Sequence, residues 1–324
     1  MFISSIISFL LTFAILLSLL KTGLKNLILD IPNQRSLHHQ SIPRSGGLAI
    51  MAGVLLTWVL YAHIWLWSAL ALILVLNSLL DDIKGLSIKW RFLIQIIASI
   101  FFLYYFGISL PWWLYVLTLF CMVWMVNLYN FMDGSDGLAG GMAFIGFGTY
   151  ALAAYVAHDN QTVLMSASLA SAALSFLIFN FHPAKIFMGD CGSIPLGFLA
   201  ASIGFYGWQH GLWAVWFPIL VFSPFIVDAT VTLFKRACRR ENVWQAHRSH
   251  YYQHLVQMGW GHRKTAIYEY ILMISVAISA LILNQCQWIE LVTGLSIWIV
   301  IYGIIVLLID DRWKQFQHAA TVIR

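Results

Sequence analysis

Six aspartates carry most of the chemistry this sequence can offer. Asp81 and Asp82 form a pair, Asp133 and Asp136 lie three apart, and Asp190 and Asp228 stand singly. Each falls near one end of an apolar run, and the chain has only 13 acidic residues in 324. A carboxylate at the edge of a bilayer is costly unless it is paired, metal-bound or turned to water. A solvated helix end would explain any one of these residues. Six at one boundary ask for a shared purpose. Hard oxygen ligands at this density suit Mg²⁺, which takes one or two carboxylates and leaves its other positions to water and phosphate oxygens.

The surrounding residues fit phosphate chemistry. The stretch from Asn127 through Asn130, Asp133, Gly134, Asp136 and Gly137 to Gly141 joins two amides and two acids with four glycines. Glycine lets backbone approach a ligand closely, and amides can orient a nucleotide or a sugar. Tight turns or helix packing would also explain the glycines. Gly189-Asp190-Cys191-Gly192 sets an acid at the start of an expected helix, whose N–H groups suit a phosphate. Further along, His247, Arg248, His250, Gln253 and His254 crowd one polar segment. The histidines are spaced i, i+3, i+7 and would share one face of a helix. That face suits zinc, an anion or an anionic membrane surface, and Arg248 favours the anion.

The elements that position these groups are membrane helices. The chain is 61% hydrophobic and 10% charged, whereas soluble domains carry about 25% charged residues. Apolar runs fall at 2–20, 46–63, 65–80, 91–106, 112–128, 138–157, 162–180, 192–208, 211–234, 266–283 and 288–309. Most are near the roughly 20 residues that cross a bilayer. The expected fold is therefore an all-α polytopic membrane protein of about eleven spans, forming a single domain over 1–324 with a histidine-bearing loop at 236–265. The first run lacks a basic start and a small-residue cleavage site, so it reads as a retained span. With the N-terminus periplasmic and the C-terminus cytoplasmic, all 18 lysines and arginines fall on the cytoplasmic side. The six aspartates share that side.

This composition excludes a soluble enzyme, a disordered chain and a secreted disulfide scaffold. The net charge of +5 is scattered through short loops and forms no stripe for nucleic acid. Cys121, Cys191, Cys238 and Cys286 lie too far apart for a metal-ligand motif.

Taken in order, these motifs resemble those of the polyprenyl-phosphate N-acetylhexosamine-1-phosphate transferases. Asn33-Gln34-Arg35-Ser36-Leu37-His38 with Pro43-Arg44-Ser45-Gly46-Gly47 is similar to that family's first cytoplasmic loop. Asp81-Asp82-Ile83-Lys84, followed by Arg91 and Gln95, resembles its aspartate-pair motif. Asn127–Gly141 resembles its glycine-rich loop, Asn180–Asp190 its metal-site segment, and His247–His254 its histidine motif.

The resemblance implies Asp190 as the principal Mg²⁺ ligand, with Mn²⁺ as a substitute and Asp133 also near the metal. Asp81 and Asp82 would lie beside metal and acceptor phosphate. Asn127, Asn130, Asp133 and Asp136 would serve nucleotide, diphosphate and metal-bound water. Lys84 and Asn180 would contact nucleotide or phosphate, while His247, Arg248, His250 and Gln253 would cover the sugar–phosphate end. Asp228 matches the sugar-priming branch better than the peptidoglycan translocases.

The implied partners are undecaprenyl phosphate, a UDP-N-acetylhexosamine and membrane lipids, with a homodimer as an admissible assembly and no nucleic acid. The implied location is the bacterial inner membrane. The spacing His247-Arg248-Ser249-His250 looks like the O-antigen-initiating branch that uses 6-deoxy sugars such as UDP-N-acetylfucosamine or UDP-N-acetylquinovosamine. An apolar pocket rejects an added hydroxyl only weakly, so UDP-N-acetylglucosamine also fits. The rivals are a peptidoglycan-precursor transferase, a secondary transporter, a CDP-alcohol phosphotransferase and a purely structural membrane subunit, which would leave the polar loops unexplained. A transporter would place its acids near the midplane, often with internal repeats. The CDP-alcohol phosphotransferase needs an Ala-Arg after Asp136-Gly137, which this chain lacks.

Overall fold

A computed structural model of the chain describes residues 2–22, 29–30, 41–61, 64–106, 110–242, 245 and 247–322. The Asn33–His38 part of the first loop motif lies outside the described residues, as do Lys25 and Arg324. The described part is helical apart from one short antiparallel pair, β1 (Leu29–Asp30) against β2 (Ile42–Pro43).

Helix α1 spans Phe2–Lys21, α2 Gly46–Tyr61, α3 Trp65–Lys84 and α4 Ile88–Tyr105. Then come α5 (Trp112–Phe131), α6 (Leu138–Val156), α7 (Asn160–Asn180) and α8 (Asp190–Gln209). The short α9 (Trp216–Val221) precedes α10 (Ser223–Cys238). A five-residue helix, α11 (Tyr251–Leu255), runs through a π turn at Val256–Trp260 into α12 (Gly261–Leu283), and α13 covers Trp288–Val322.

Among the described residues, eight helices are long and apolar enough to cross a membrane: α1, α3, α4, α5, α6, α7, the α11–α12 unit and α13. The other three expected runs are occupied by the shorter α2, by the glycine- and serine-bearing α8, and by α9 with α10. The expected single span at 211–234 is thus interrupted. Pro224 sits in the first turn of α10, where its missing N–H costs nothing, and the chain re-enters a helix at Phe222. The last helix continues well beyond the expected end at 309. Helix α3 carries Asp81 and Asp82 in its final turn, where the sequence pattern expects a loop. It stops at Gly85, whose left-handed backbone (φ 64°) donates its N–H to the Asp81 carbonyl at 2.7 Å.

The buried centre is α8. It packs along α5 and α3 and touches α2, α6 and α7. Almost every residue from Cys191 to Phe205 is buried, including Ser193 and Ser202. With lipid outside as apolar as leucine, such a helix is held by close packing of small residues. Gly197 shows the requirement directly: a Cβ there would lie 2.8 Å from the Val126 Cα and 2.9 Å from the Met125 carbonyl of α5. Polar side chains tie the periphery. Ser8 of α1 donates to the Ser168 carbonyl of α7 at 2.9 Å, and the Trp58 indole of α2 donates to the Ser168 hydroxyl at 2.7 Å.

Replacing Gly197 by alanine should force α5 from α8 and destabilise the protein by about 1–3 kcal/mol, the usual range for overpacking. Gly148→Ala, where a new Cβ meets nothing within 4 Å, should leave the melting temperature in detergent unchanged or slightly raised. Equal melting temperatures for the two variants would contradict this account of α8.

Candidate active site

The last turn of α3, the C-terminal ends of α5 and α7 and the start of α8 meet at one end of the bundle, and the loops between them interlock. Backbone pairing sets the frame. Phe187 donates to the Pro43 carbonyl at 2.7 Å, Gly46 to the Phe187 carbonyl at 2.9 Å and Gly47 to the Met188 carbonyl at 2.8 Å. The segment before α8 therefore runs along the segment before α2. Gly189 closes it with a left-handed backbone (φ 69°), and a side chain there would strike the Arg44 carbonyl at 2.5 Å. Only glycine meets both demands.

This frame gathers four of the six aspartates. The Arg44 guanidinium pairs with Asp82, whose side chain is almost fully buried. Arg91 reaches Asp81 at 2.9 Å and Asp190 at 3.5 Å, bridging the end of α3 to the start of α8. Asp81 also accepts the Leu86 N–H at 2.7 Å, which fixes the turn into α4. Asp133 accepts the Gly189 N–H at 3.2 Å, so the glycine-rich loop lies directly against the Asp190 segment. Three carboxylates, Asp81, Asp82 and Asp190, thus share two guanidinium groups, while Asp133 takes a backbone N–H. Asp190, in the first turn of α8, is favoured there by the helix dipole.

This donor set fits a hard divalent cation. Among the described residues no group of three or more His, Cys, Asp or Glu side chains is placed to hold a metal ion. Mg²⁺ needs fewer protein ligands than that, since it usually takes one or two carboxylates and completes its shell with water and phosphate. Asp190 and Asp133 are the residues that would hold it, with Asp81 and Asp82 alongside.

The amides are spent on order. Asn180 accepts the Gly137 N–H at 2.9 Å and donates to the Ile186 carbonyl at 2.9 Å, joining the glycine-rich loop to the segment before α8. Asn130 accepts from Ser193 at 2.7 Å, and Asn127 donates to Gln95 at 2.7 Å. Lys84 is exposed at the end of α3. Asp136 stands apart from the other four: its Oδ2 takes the His182 ring at 2.6 Å and the Ala184 N–H at 3.2 Å.

The histidine segment folds over this end. Asp228, buried in α10, accepts the N–H groups of Tyr251 at 2.9 Å and Tyr252 at 3.0 Å, with His250 Nδ1 at 3.2 Å. Its carboxylate thereby caps α11, which makes Asp228 a positioning residue in this arrangement. Gln253 completes the cap by accepting the His250 N–H at 3.2 Å. Tyr252 then reaches across and donates to the Phe131 carbonyl at 3.1 Å. Gly134 permits this approach, since a Cβ there would lie 2.2 Å from the Tyr252 hydroxyl. Buried Arg236 organises the preceding loop, binding Glu241 at 2.8 Å and the Asn242 carbonyl at 3.0 Å. Arg248 projects outward, and its segment is tied by Gln257, which donates to the Arg248 carbonyl at 3.0 Å.

The three histidines do not share a helical face, contrary to the i, i+3, i+7 expectation. Helix α11 begins only at Tyr251, so His247 precedes it and His250 caps it. His254 points away and stacks on Trp313 of α13 at 3.9 Å. A zinc site built from all three is therefore excluded. His247 accepts the Ser249 hydroxyl at Nδ1, 2.8 Å away. Burial, with His250 and Arg236 nearby, lowers its pKa to about 4. At neutral pH it is an uncharged imidazole with its proton on Nε2.

Sequence reasoning passes over several groups that hold this end together. Tyr270 of α12 donates to the Gly137 carbonyl at 2.6 Å, His262 approaches Ser135 at 2.9 Å, and Asp310 of α13 pairs with Lys235. All lie outside the recognisable motifs. The available signal is weak: polar residues near the ends of otherwise apolar helices.

These features define a polytopic membrane enzyme with an acidic, phosphate-suited site at one end of its bundle. A family model described as glycosyl transferase family 4 matches residues 64–207. The chain is 31% identical over 311 residues to a probable undecaprenyl-phosphate N-acetylglucosaminyl 1-phosphate transferase of Bacillus subtilis (strain 168), covering 89% of this chain and 87% of that protein. It is 26% identical to the undecaprenyl-phosphate alpha-N-acetylglucosaminyl 1-phosphate transferase of Yersinia pestis, covering 85% and 81%. Identity to the phospho-N-acetylmuramoyl-pentapeptide-transferase of Enterococcus hirae is 31%, covering 74% and 83%. The chain belongs to glycosyl transferase family 4, the family its motifs resemble, and is a transferase of that kind. Membership removes the transporter and the CDP-alcohol phosphotransferase.

Because the folded pKa of His247 lies below the ordinary 6.5, the unfolded chain binds more protons between those values. Stability should therefore fall as pH drops from about 6.5 to 4. His247→Asn should flatten that part of the pH–stability curve in detergent; an unchanged curve would contradict the assignment.

Proposed function

We propose that this protein transfers an N-acetylhexosamine-1-phosphate group from a UDP-sugar to undecaprenyl phosphate, yielding undecaprenyl-diphosphate-sugar and UMP. The observation that carries this reading is the cluster of Asp81, Asp82, Asp133 and Asp190, which exceeds the charge of Arg44 and Arg91. Two of the relatives, from Bacillus subtilis and Yersinia pestis, bear names of this activity across most of their length.

In the proposed reaction an oxygen of the lipid phosphate attacks the sugar-bearing phosphorus. A new P–O bond forms, the bond to the UMP oxygen breaks, and UMP leaves with that electron pair. The attacking monoester has a second pKa of about 6, so at neutral pH it is largely a dianion and has no proton to surrender. Asp81 and Asp82 therefore serve better as positioning groups than as bases. Their guanidinium partners, Arg44 and Arg91, would help to orient the same phosphates. A bound Mg²⁺ would neutralise charge on the diphosphate. Asn180 and Asp136 support the nucleotide side by fixing the glycine-rich loop, and the capped histidine segment, with neutral His247, faces the sugar–phosphate end.

The sugar we favour is a 6-deoxy N-acetylhexosamine, with N-acetylglucosamine also accepted, and the product would begin an O-antigen or similar surface polysaccharide. The separated His247 and His250 argue against a peptidoglycan precursor, for which the resembling pattern has paired histidines. The lysine and arginine distribution supports a site on the cytoplasmic face of the bacterial inner membrane with a periplasmic N-terminus, and we read the whole chain as one domain.

Asp190→Asn keeps the side-chain shape and removes the charge. It should lower turnover by at least about a hundredfold, as loss of a metal ligand does, and raise the Mg²⁺ concentration required. Near-normal turnover with an unaltered Mg²⁺ response would overturn the assignment. Against UDP-N-acetylglucosamine, the two 6-deoxy sugars should give equal or higher kcat/KM.

A further inference from the structure

His262 lies in the first turn of α12, outside every motif that relates this chain to its family. Its Nδ1 sits 2.9 Å from the Ser135 hydroxyl and 3.4 Å from the Asp136 N–H. The backbone N–H can only donate, so Nδ1 is the acceptor and the ring proton belongs on Nε2. The ring stacks on His182 with centroids 5.7 Å apart and planes 15° apart. His182 in turn holds Asp136 Oδ2 at 2.6 Å. Three separate segments therefore meet at one imidazole: the glycine-rich loop, the segment before α8 and the start of α12. Two helical turns later Tyr270 binds the Gly137 carbonyl, so α12 grips the same loop at two points.

We infer that His262 is a positioning residue for the glycine-rich loop, acting through its Nδ1 on the Ser135–Asp136 turn. This rests on the proposed transferase reading for its kinetic consequence, though not for its structural one. Asp133, at the acid cluster, and Asp136, at the far end of the turn, are three residues apart. Holding the turn fixes the distance between the reacting phosphates and the nucleotide side of the site. Packing alone would need only an aromatic ring of the right size. The hydrogen-bond geometry asks for an acceptor at the Nδ1 position.

That difference is testable with near-isosteres. Asparagine can place a carbonyl oxygen where Nδ1 lies, whereas glutamine places its polar atoms near Nε2. In purified full-length protein, His262→Gln and His262→Ala should raise KM for the UDP-sugar about tenfold, the effect of one lost buried hydrogen bond. KM for undecaprenyl phosphate should stay put, and His262→Asn should stay within about twofold of wild type on both. Independently of any activity, hydrogen–deuterium exchange over residues 133–138 should rise in the Gln and Ala variants and stay at wild-type level in Asn. Ser135→Ala should reproduce part of the effect and add nothing to His262→Ala.

Equal behaviour of Asn, Gln and Ala in the exchange experiment, whether all wild-type or all impaired, would overturn the inference. So would a shift confined to the lipid KM. Protection lost in Gln and retained in Asn, in a protein that transfers nothing from any UDP-sugar, would uphold the positioning role and refute the transferase reading instead.

Discussion

Where loops leave the helices and pack against one another, every buried N–H and C=O group must find a partner, because burial cuts it off from water. In this protein the loops satisfy one another. Asn180 takes the Gly137 N–H, Asp133 takes that of Gly189, Asp136 that of Ala184, and Asp228 those of Tyr251 and Tyr252. Tyr252 and Tyr270 supply donors to the Phe131 and Gly137 carbonyls. No single loop is stable by itself in this scheme. Removing one carboxylate or amide orphans the backbone of a different loop, so the polar residues that could do chemistry are also the ones that build the platform.

That double use explains the placement of charge. Asp82 is buried at the last turn of α3 and would be costly alone; Arg44, delivered by the loop before α2, makes it tenable. Arg91 does the same for Asp81 and draws Asp190 towards it. Two arginines serve three of the four acids; under the proposed function the surplus of acids would take a cation and, through it, a diphosphate. Asp228 serves differently. Its charge is absorbed by the start of α11, and it acts by aiming the histidine segment.

The apolar runs made most helices legible, because a membrane span needs only length and hydropathy. Their ends were less so. Asp81 and Asp82 read as loop residues but belong to α3, because Gly85, rather than the acids, ends that helix. The run at 211–234 concealed the break at Phe222, and the charged residues after 309 concealed the continuation of α13. At the site, the motif residues were legible because carboxylates, amides and glycines are scarce in such a chain. The histidine face was misread because periodicity cannot reveal that α11 starts at Tyr251, a boundary set by Asp228 from another helix. His262 and Tyr270 left only a weak local trace, since their partners lie more than 120 residues away.

The most direct test of the central claim is UMP release by the purified protein in detergent, supplied with a radiolabelled UDP-N-acetylhexosamine, undecaprenyl phosphate and Mg²⁺. Release together with label in the lipid phase is expected, and loss of both when either the lipid phosphate or the metal is withheld. Release that proceeds without undecaprenyl phosphate, or none with any UDP-N-acetylhexosamine, would contradict that claim.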